Sequence, residues 1–96
     1  MSLTVIIPVK NESKTIVEII DKIKKLAKNI IVINDGSTDN SYNLLKKLRN
    51  IKIINNKISQ GYDRSIQKGL SFALKNNYKF AITIDADCEH DPLELP

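Results

Sequence analysis

Four short apolar runs alternate with three stretches of helical periodicity, and this alternation predicts the architecture. Leu3-Thr4-Val5-Ile6-Ile7-Pro8-Val9 is rich in β-branched residues and reads as a first buried strand with Pro8 at its carboxyl end. Over residues 12–28 the apolar positions Ile16, Ile19, Ile20, Ile23, Leu26 and Ala27 follow the 3.6 period, opposite lysines, Glu18 and Asp21. A first helix is expected there, with Asn11 as its cap. Asn29-Ile30-Ile31-Val32-Ile33-Asn34 is a second strand that stops at Asp35. Ser37 or Thr38 is placed to cap a second helix over about 39–48, whose apolar side is Leu44, Leu45 and Leu48. Residues 51–54 form a short third strand, and the polar loop after it ends at Gly61, suited to a tight turn or to close approach of a ligand. A third helix is expected over 62–76 with Ile66, Leu70, Ala73 and Leu74 facing inward, and a fourth strand over 78–84. Gly69 inside that helix costs about 1 kcal/mol relative to alanine, which points to close packing or a nearby ligand.

Strands that are apolar throughout, separated by helices, indicate an α/β fold: a parallel sheet covered on both faces. Right-handed crossovers restrict the arrangements, and the order 3-2-1-4 makes the first and fourth strands neighbours. The winding reverses between them, so a crevice opens at their carboxyl ends, the usual ligand position in such sheets. Residues 8–12 would then face residues 85–87 across it, with Asp35 beside them.

The fourth apolar run ends in Asp85-Ala86-Asp87-Cys88-Glu89-His90-Asp91-Pro92. Two carboxylates one residue apart in the turn after a buried strand can share one hard cation, magnesium or manganese, while phosphates and water supply its other ligands. Against this stands the general tendency of acidic residues to gather in turns and caps. Asp91-Pro92-Leu93-Glu94 has such an explanation, as N-cap, first helical residue and capping box, so Asp91 is taken as structural. Capping does not account for Asp85 and Asp87.

A chain of 96 residues has room for one domain with a modest core. With 42% apolar and 27% charged residues spread along the chain, it is globular rather than disordered. The net charge of +4 suggests an acidic partner, but Lys22, Lys24, Lys25, Lys28, Lys46 and Lys47 fall in predicted helices and read as a solvated face. With five aromatic residues and no basic-aromatic interleaving, a nucleic-acid platform is disfavoured. Cys88 is the only cysteine, which precludes an internal disulfide or a thiolate zinc cluster and suits a reducing compartment. No apolar run approaches the length of a membrane span, and the amino terminus lacks a signal-sequence pattern, so a cytoplasmic protein is expected. No Gly-x-Gly-x-x-Gly follows the first strand, which argues against a dinucleotide enzyme. His90 is the sole histidine and pairs with no serine motif, which removes nucleophilic triad chemistry.

Four motifs carry a family resemblance: Ile7-Pro8-Val9-Lys10-Asn11-Glu12, Asn34-Asp35-Gly36-Ser37-Thr38-Asp39, the Gly61, Gly69, Ala73 spacing, and Asp85 to Pro92. In this order they resemble the N-terminal half of a family 2 glycosyltransferase of the Rossmann-like GT-A fold, the nearest likeness being dolichyl- and undecaprenyl-phosphate sugar transferases. The resemblance implies a nucleotide-diphosphate sugar donor, UDP- or GDP-linked, a lipid-phosphate or glycan acceptor, and a divalent cation, Mn or Mg. It implies that Pro8, Lys10 and Glu12 flank the nucleoside, Asp35 reads the base, Asp85 lies near the ribose, and Asp87, with Asp85, holds the metal bridging the diphosphate. Arg64 and Lys68, one turn apart, are placed to lend positive charge near the nucleotide. Lys10 stands where the family commonly has tyrosine, and Asn34 replaces the first of two common aspartates. The family's catalytic domain is about twice this size, so the acceptor-binding part, with the catalytic base, is expected to lie beyond Pro96, and the parent protein at the cytoplasmic face of a membrane. The alternative is a non-catalytic doubly wound module that uses the crevice for binding, or the free edge of the fourth strand for homo-oligomerisation.

Overall fold

A computed structural model describes residues 3–76 and 80–84. Its elements run β1 (Leu3–Val9), α1 (Ile16–Lys24), β2 (Asn29–Asp35), α2 (Ser41–Lys46), β3 (Lys52–Asn56), α3 (Tyr62–Lys75) and β4 (Phe80–Thr83). The four strands are parallel and ordered β3-β2-β1-β4, the order expected from the strand-helix alternation.

Side-chain alternation divides the sheet between two cores. Val5, Ile7, Val9, Ile30 and Val32 face Ile16, Ile19, Ile20 and Ile23 of α1 and Leu45 of α2. Ile6, Ile31 and Ile33 face α3 through Ala73, with Ile66 and Phe72 packed at the margin. Helices therefore cover both faces, and each fully buried isoleucine contributes about 1.5–3 kcal/mol of transfer free energy. Pro8 pairs in register with Ile33, and among the described residues the pairing of β1 with β4 runs no further than Ile6.

Three expectations are corrected. α1 begins at Ile16 with Thr15 at its N-cap, not after Asn11; residues 12–15 form a turn in which the amides of Thr15 and Ile16 donate to the Glu12 carbonyl at 3.1 and 2.9 Å. α2 spans only six residues after Asn40, and neither Ser37 nor Thr38 caps it, because both are held by the preceding loop. On α3 the buried stripe is Ser65, Gly69 and Ala73, whereas Leu70 is 40% and Leu74 75% exposed. Small residues turn inward because α3 lies too close to the sheet for larger ones: a Cβ on Gly69 would lie 2.5 Å from Ile6 Cγ2 and 2.9 Å from Ile33 Cδ1. Close packing, of the two explanations open for Gly69, is the one observed. For the fourth strand, residues 78 and 79 lie outside the described residues. Among the described residues no helix is long and apolar enough to cross a membrane.

Candidate functional site

The carboxyl ends of β1, β2 and β3 converge on Asp35, the last residue of β2 and a buried one. Its Oδ1 accepts hydrogen bonds from Asn56 Nδ2 at 3.0 Å and the Gln60 amide at 2.7 Å. Its Oδ2 accepts from Ser59 Oγ at 2.9 Å and the Gly61 amide at 3.0 Å. A carboxylate has about four acceptor positions, so Asn56 at the end of β3 and the loop that follows it occupy all of them. Any ligand donor that reaches Asp35 must share or replace one of these four. Gly61 takes φ 95°, which turns its amide toward the carboxylate at the entry to α3. Gly36, at φ 67°, leaves room for Ser59, whose amide nitrogen would lie 2.5 Å from a Cβ there.

Two cations stand one group away. Lys10 Nζ donates to Ser59 Oγ at 3.1 Å, and Lys68 Nζ donates to Asn56 Oδ1. A continuous chain thus runs from Lys10 through Ser59, Asp35 and Asn56 to Lys68, with two positive charges flanking one negative. The site residues that sequence reasoning missed are Asn56 and Ser59. A signal for the first was present: β2 and β3 both end in paired polar residues, and parallel register sets Asn34 beside Asn55 and Asp35 beside Asn56. Asn34 Nδ2 donates to Asn55 Oδ1 at 2.8 Å.

A second network ties the β1–α1 loop to the β2–α2 loop. Asn11, at φ 55°, accepts through Oδ1 from the amides of Thr38 at 2.7 Å and Asp39 at 3.2 Å. The amides of Asn11, Glu12 and Ser13 donate in turn to Ser37 Oγ, Ser41 Oγ and Asp39 Oδ2. Glu12 is thereby held half-buried, accepting from Thr15 Oγ1 at 3.5 Å, and Pro8 is half-buried within β1 opposite Ile33 of β2. Arg64 lies outboard with Lys68, lining a groove between α3 and β3 at the sheet edge opposite β4.

Asp85 and Asp87 lie outside the described residues; Ile84, just before them, donates its amide to the Ile6 carbonyl at 3.1 Å. Among the described residues no group of three or more His, Cys, Asp or Glu side chains is placed to hold a metal ion. The donor chemistry of an Asp-x-Asp pair, two hard oxygen ligands leaving positions for phosphate and water, fits magnesium or manganese.

Burial raises the Asp35 pKa, but the donors from Gln60, Asn56, Ser59 and Gly61 outweigh it and hold the carboxyl at about 2. Asp39 is also lowered to about 2, chiefly by Ser41, but it is solvent-exposed and screened. Because the folded pKa of Asp35 lies below the unfolded value of about 3.9, its contribution of about 2 kcal/mol is complete above pH 4 and lost as pH falls toward 2. Urea midpoints measured from pH 5 to 2.5 should therefore fall more steeply for the unaltered chain than for Asp35→Asn. Parallel slopes would mean that Asp35 is not the group titrating.

Residues 4–96 match the family model described as glycosyl transferase family 2. The chain belongs to glycosyl transferase family 2. It is 36% identical over 97 residues to an uncharacterized Methanocaldococcus jannaschii protein, covering 95% of this chain and 42% of that one. An undecaprenyl-phosphate 4-deoxy-4-formamido-L-arabinose transferase of Proteus mirabilis is 31% identical, over 98% of this chain and 31% of the relative. A UDP-N-acetylglucosamine–dolichyl-phosphate N-acetylglucosaminyltransferase of Methanococcus voltae is 31% identical, over 94% of this chain and 43% of its own length. The crystal structure of S. aureus TarS 1-349 superposes with a TM-score of 0.69 at 27% identity, covering 91% of this chain and 28% of TarS. The family 2 chain thus spans less than half the length of these relatives, and its sheet is the GT-A glycosyltransferase sheet.

Proposed function

We propose that this family 2 chain binds the nucleotide-diphosphate sugar of a glycosyl transfer whose acceptor is a lipid phosphate. The observation that carries the reading is the convergence of Asp35, Lys10 and Lys68 at the carboxyl ends of β1 to β3, in a sheet whose winding reverses between β1 and β4. The lipid-phosphate acceptor rests on the names of the Proteus and Methanococcus relatives.

In this reading Pro8, Lys10 and Glu12 flank the nucleoside and Asp35 reads the base, exchanging one of its loop donors for a base N–H. Asp85 meets the ribose, and Asp87, with Asp85, holds the divalent cation, which would neutralise the charge left on the departing diphosphate. Arg64 and Lys68 add positive potential at the nucleotide end. The acceptor and its general base belong to the length of the relatives that this chain does not span.

The test is a thermal-shift panel of UDP, GDP, CDP and TDP with and without manganese, since a ligand of the native state raises the melting temperature. One nucleotide should stabilise the chain only with manganese, by about 2–3 kcal/mol at a hundredfold excess over its dissociation constant. Asp87→Ala should abolish that shift. An equal shift in Asp87→Ala would end the metal assignment. Asp35's four internal hydrogen bonds favour a second reading, a doubly wound module in which Asp35 latches a loop. Indifference to every nucleotide, with the fold intact by circular dichroism, would support it.

A further inference from the structure

At the edge of the sheet remote from β4, α3 and β3 enclose an open groove of about 720 Å³ that the donor-site reading does not use along most of its length. Its floor is Ile54 and Phe72, and Arg64, Lys68 and Lys75 stand along its α3 wall. Lys52 joins them from β3, its Nζ 5.4 Å from the Phe72 ring centroid. None of the described lining residues is acidic. Among the described residues β3 pairs with β2 alone, so its other edge presents backbone donors and acceptors directly beside this groove.

We infer that this edge binds an acidic, extended polypeptide segment as an added strand. Alternation decides the chemistry of the occupant. Residues Lys52, Ile54 and Asn56 of β3 share the face toward α3, so every second side chain of a neighbouring strand would point into the cationic groove. Carboxylates at those positions meet Arg64, Lys68, Lys75 and Lys52, while main-chain hydrogen bonds to β3 supply the docking geometry. A second copy of this chain fits poorly, because a two-fold pairing of β3 with itself sets these cations against their own mates. The net charge of +4 disfavours self-association further.

The probe is a fluorescein-labelled capped octapeptide of alternating glutamate and valine, followed by anisotropy against the full chain. Saturable binding that weakens with added salt is expected. Lys52→Glu with Lys75→Glu, two exposed positions outside the donor site, should weaken it by about tenfold or more while leaving the melting curve in place. A peptide of equal charge with proline at alternate positions should also bind about tenfold more weakly, because it cannot complete a strand ladder. The inference fails if the proline peptide binds equally well, if the double variant binds as tightly as the unaltered chain, or if no saturable binding occurs. It fails as well if a single-stranded oligonucleotide of the same charge displaces the peptide at lower concentration, which would make the groove a nucleic-acid surface.

Discussion

Asp35→Ala should lower the unfolding free energy by about 3–5 kcal/mol, the largest loss expected of any single substitution at the site. The magnitude follows from what is left behind. The alanine orphans the buried Asn56 amide, takes the acceptor from two backbone N–H groups and the Ser59 hydroxyl, and leaves half-buried Lys68 beside a network that has lost its only negative charge. For a domain stable by about 5–15 kcal/mol this is a substantial fraction. The melting temperature should fall by roughly 12–40 °C, since a domain of this size shifts about 4–8 °C per kcal/mol. Asp35→Asn keeps one carbonyl acceptor and should lose about half as much. Urea denaturation of the two variants measures the difference, and a loss below about 1 kcal/mol for the alanine would show that the loop re-satisfies its donors with water.

Gly69→Val is expected to cost about 3 kcal/mol, the second largest effect. Alanine at this position gains about 1 kcal/mol of helix propensity, so part of the steric cost is offset and a net loss of about 1–2 kcal/mol remains. Valine adds two methyl groups where even a Cβ lies 2.5 Å from Ile6 Cγ2. Ile33→Val removes the Cδ1 that would lie 2.9 Å away and should relieve only part of the strain, because the Ile6 methyl is anchored directly on its β-carbon. Thermal melts of Gly69→Ala, Gly69→Val and each combined with Ile33→Val test this ordering. A Gly69→Ala variant more stable than the unaltered chain would show that α3 can shift outward at little cost.

The topology could be read from the sequence because its determinants are local and redundant: each strand is a continuous apolar run, each helix has its period, and crossover handedness leaves few orders. Where the reading failed, a distant partner outcompeted a local rule. Asn11 has the residue type of a helix cap, yet its side chain is taken by Thr38 and Asp39, 27 and 28 positions away. Leu70 and Leu74 satisfy an apolar helical pattern, but the closeness of α3 to Ile6 and Ile33 favours Ser65, Gly69 and Ala73 on the inner face. Asp35 could be singled out because it ends the second strand beside the expected crevice, within a motif that resembles the family's. Asn56 was marked only by the matching polar ends of β2 and β3, and Ser59 gave no signal, since a loop residue's importance depends on what the fold sets against it. Asp85 and Asp87 stand out by their spacing at the end of an apolar run, and the nucleotide and manganese panel tests their role.

The hydrogen bonds between the β1–α1 and β2–α2 loops make segments about 27 residues apart a single heritable unit. Each loop supplies the capping groups that the other lacks, so neither can be lengthened, shortened or exchanged between family members by itself. Altering ligand preference through either loop would require matched changes in both, and paired variation at Asn11 with Thr38 and Asp39, or at Ser13 with Asp39, is where such matching should be written.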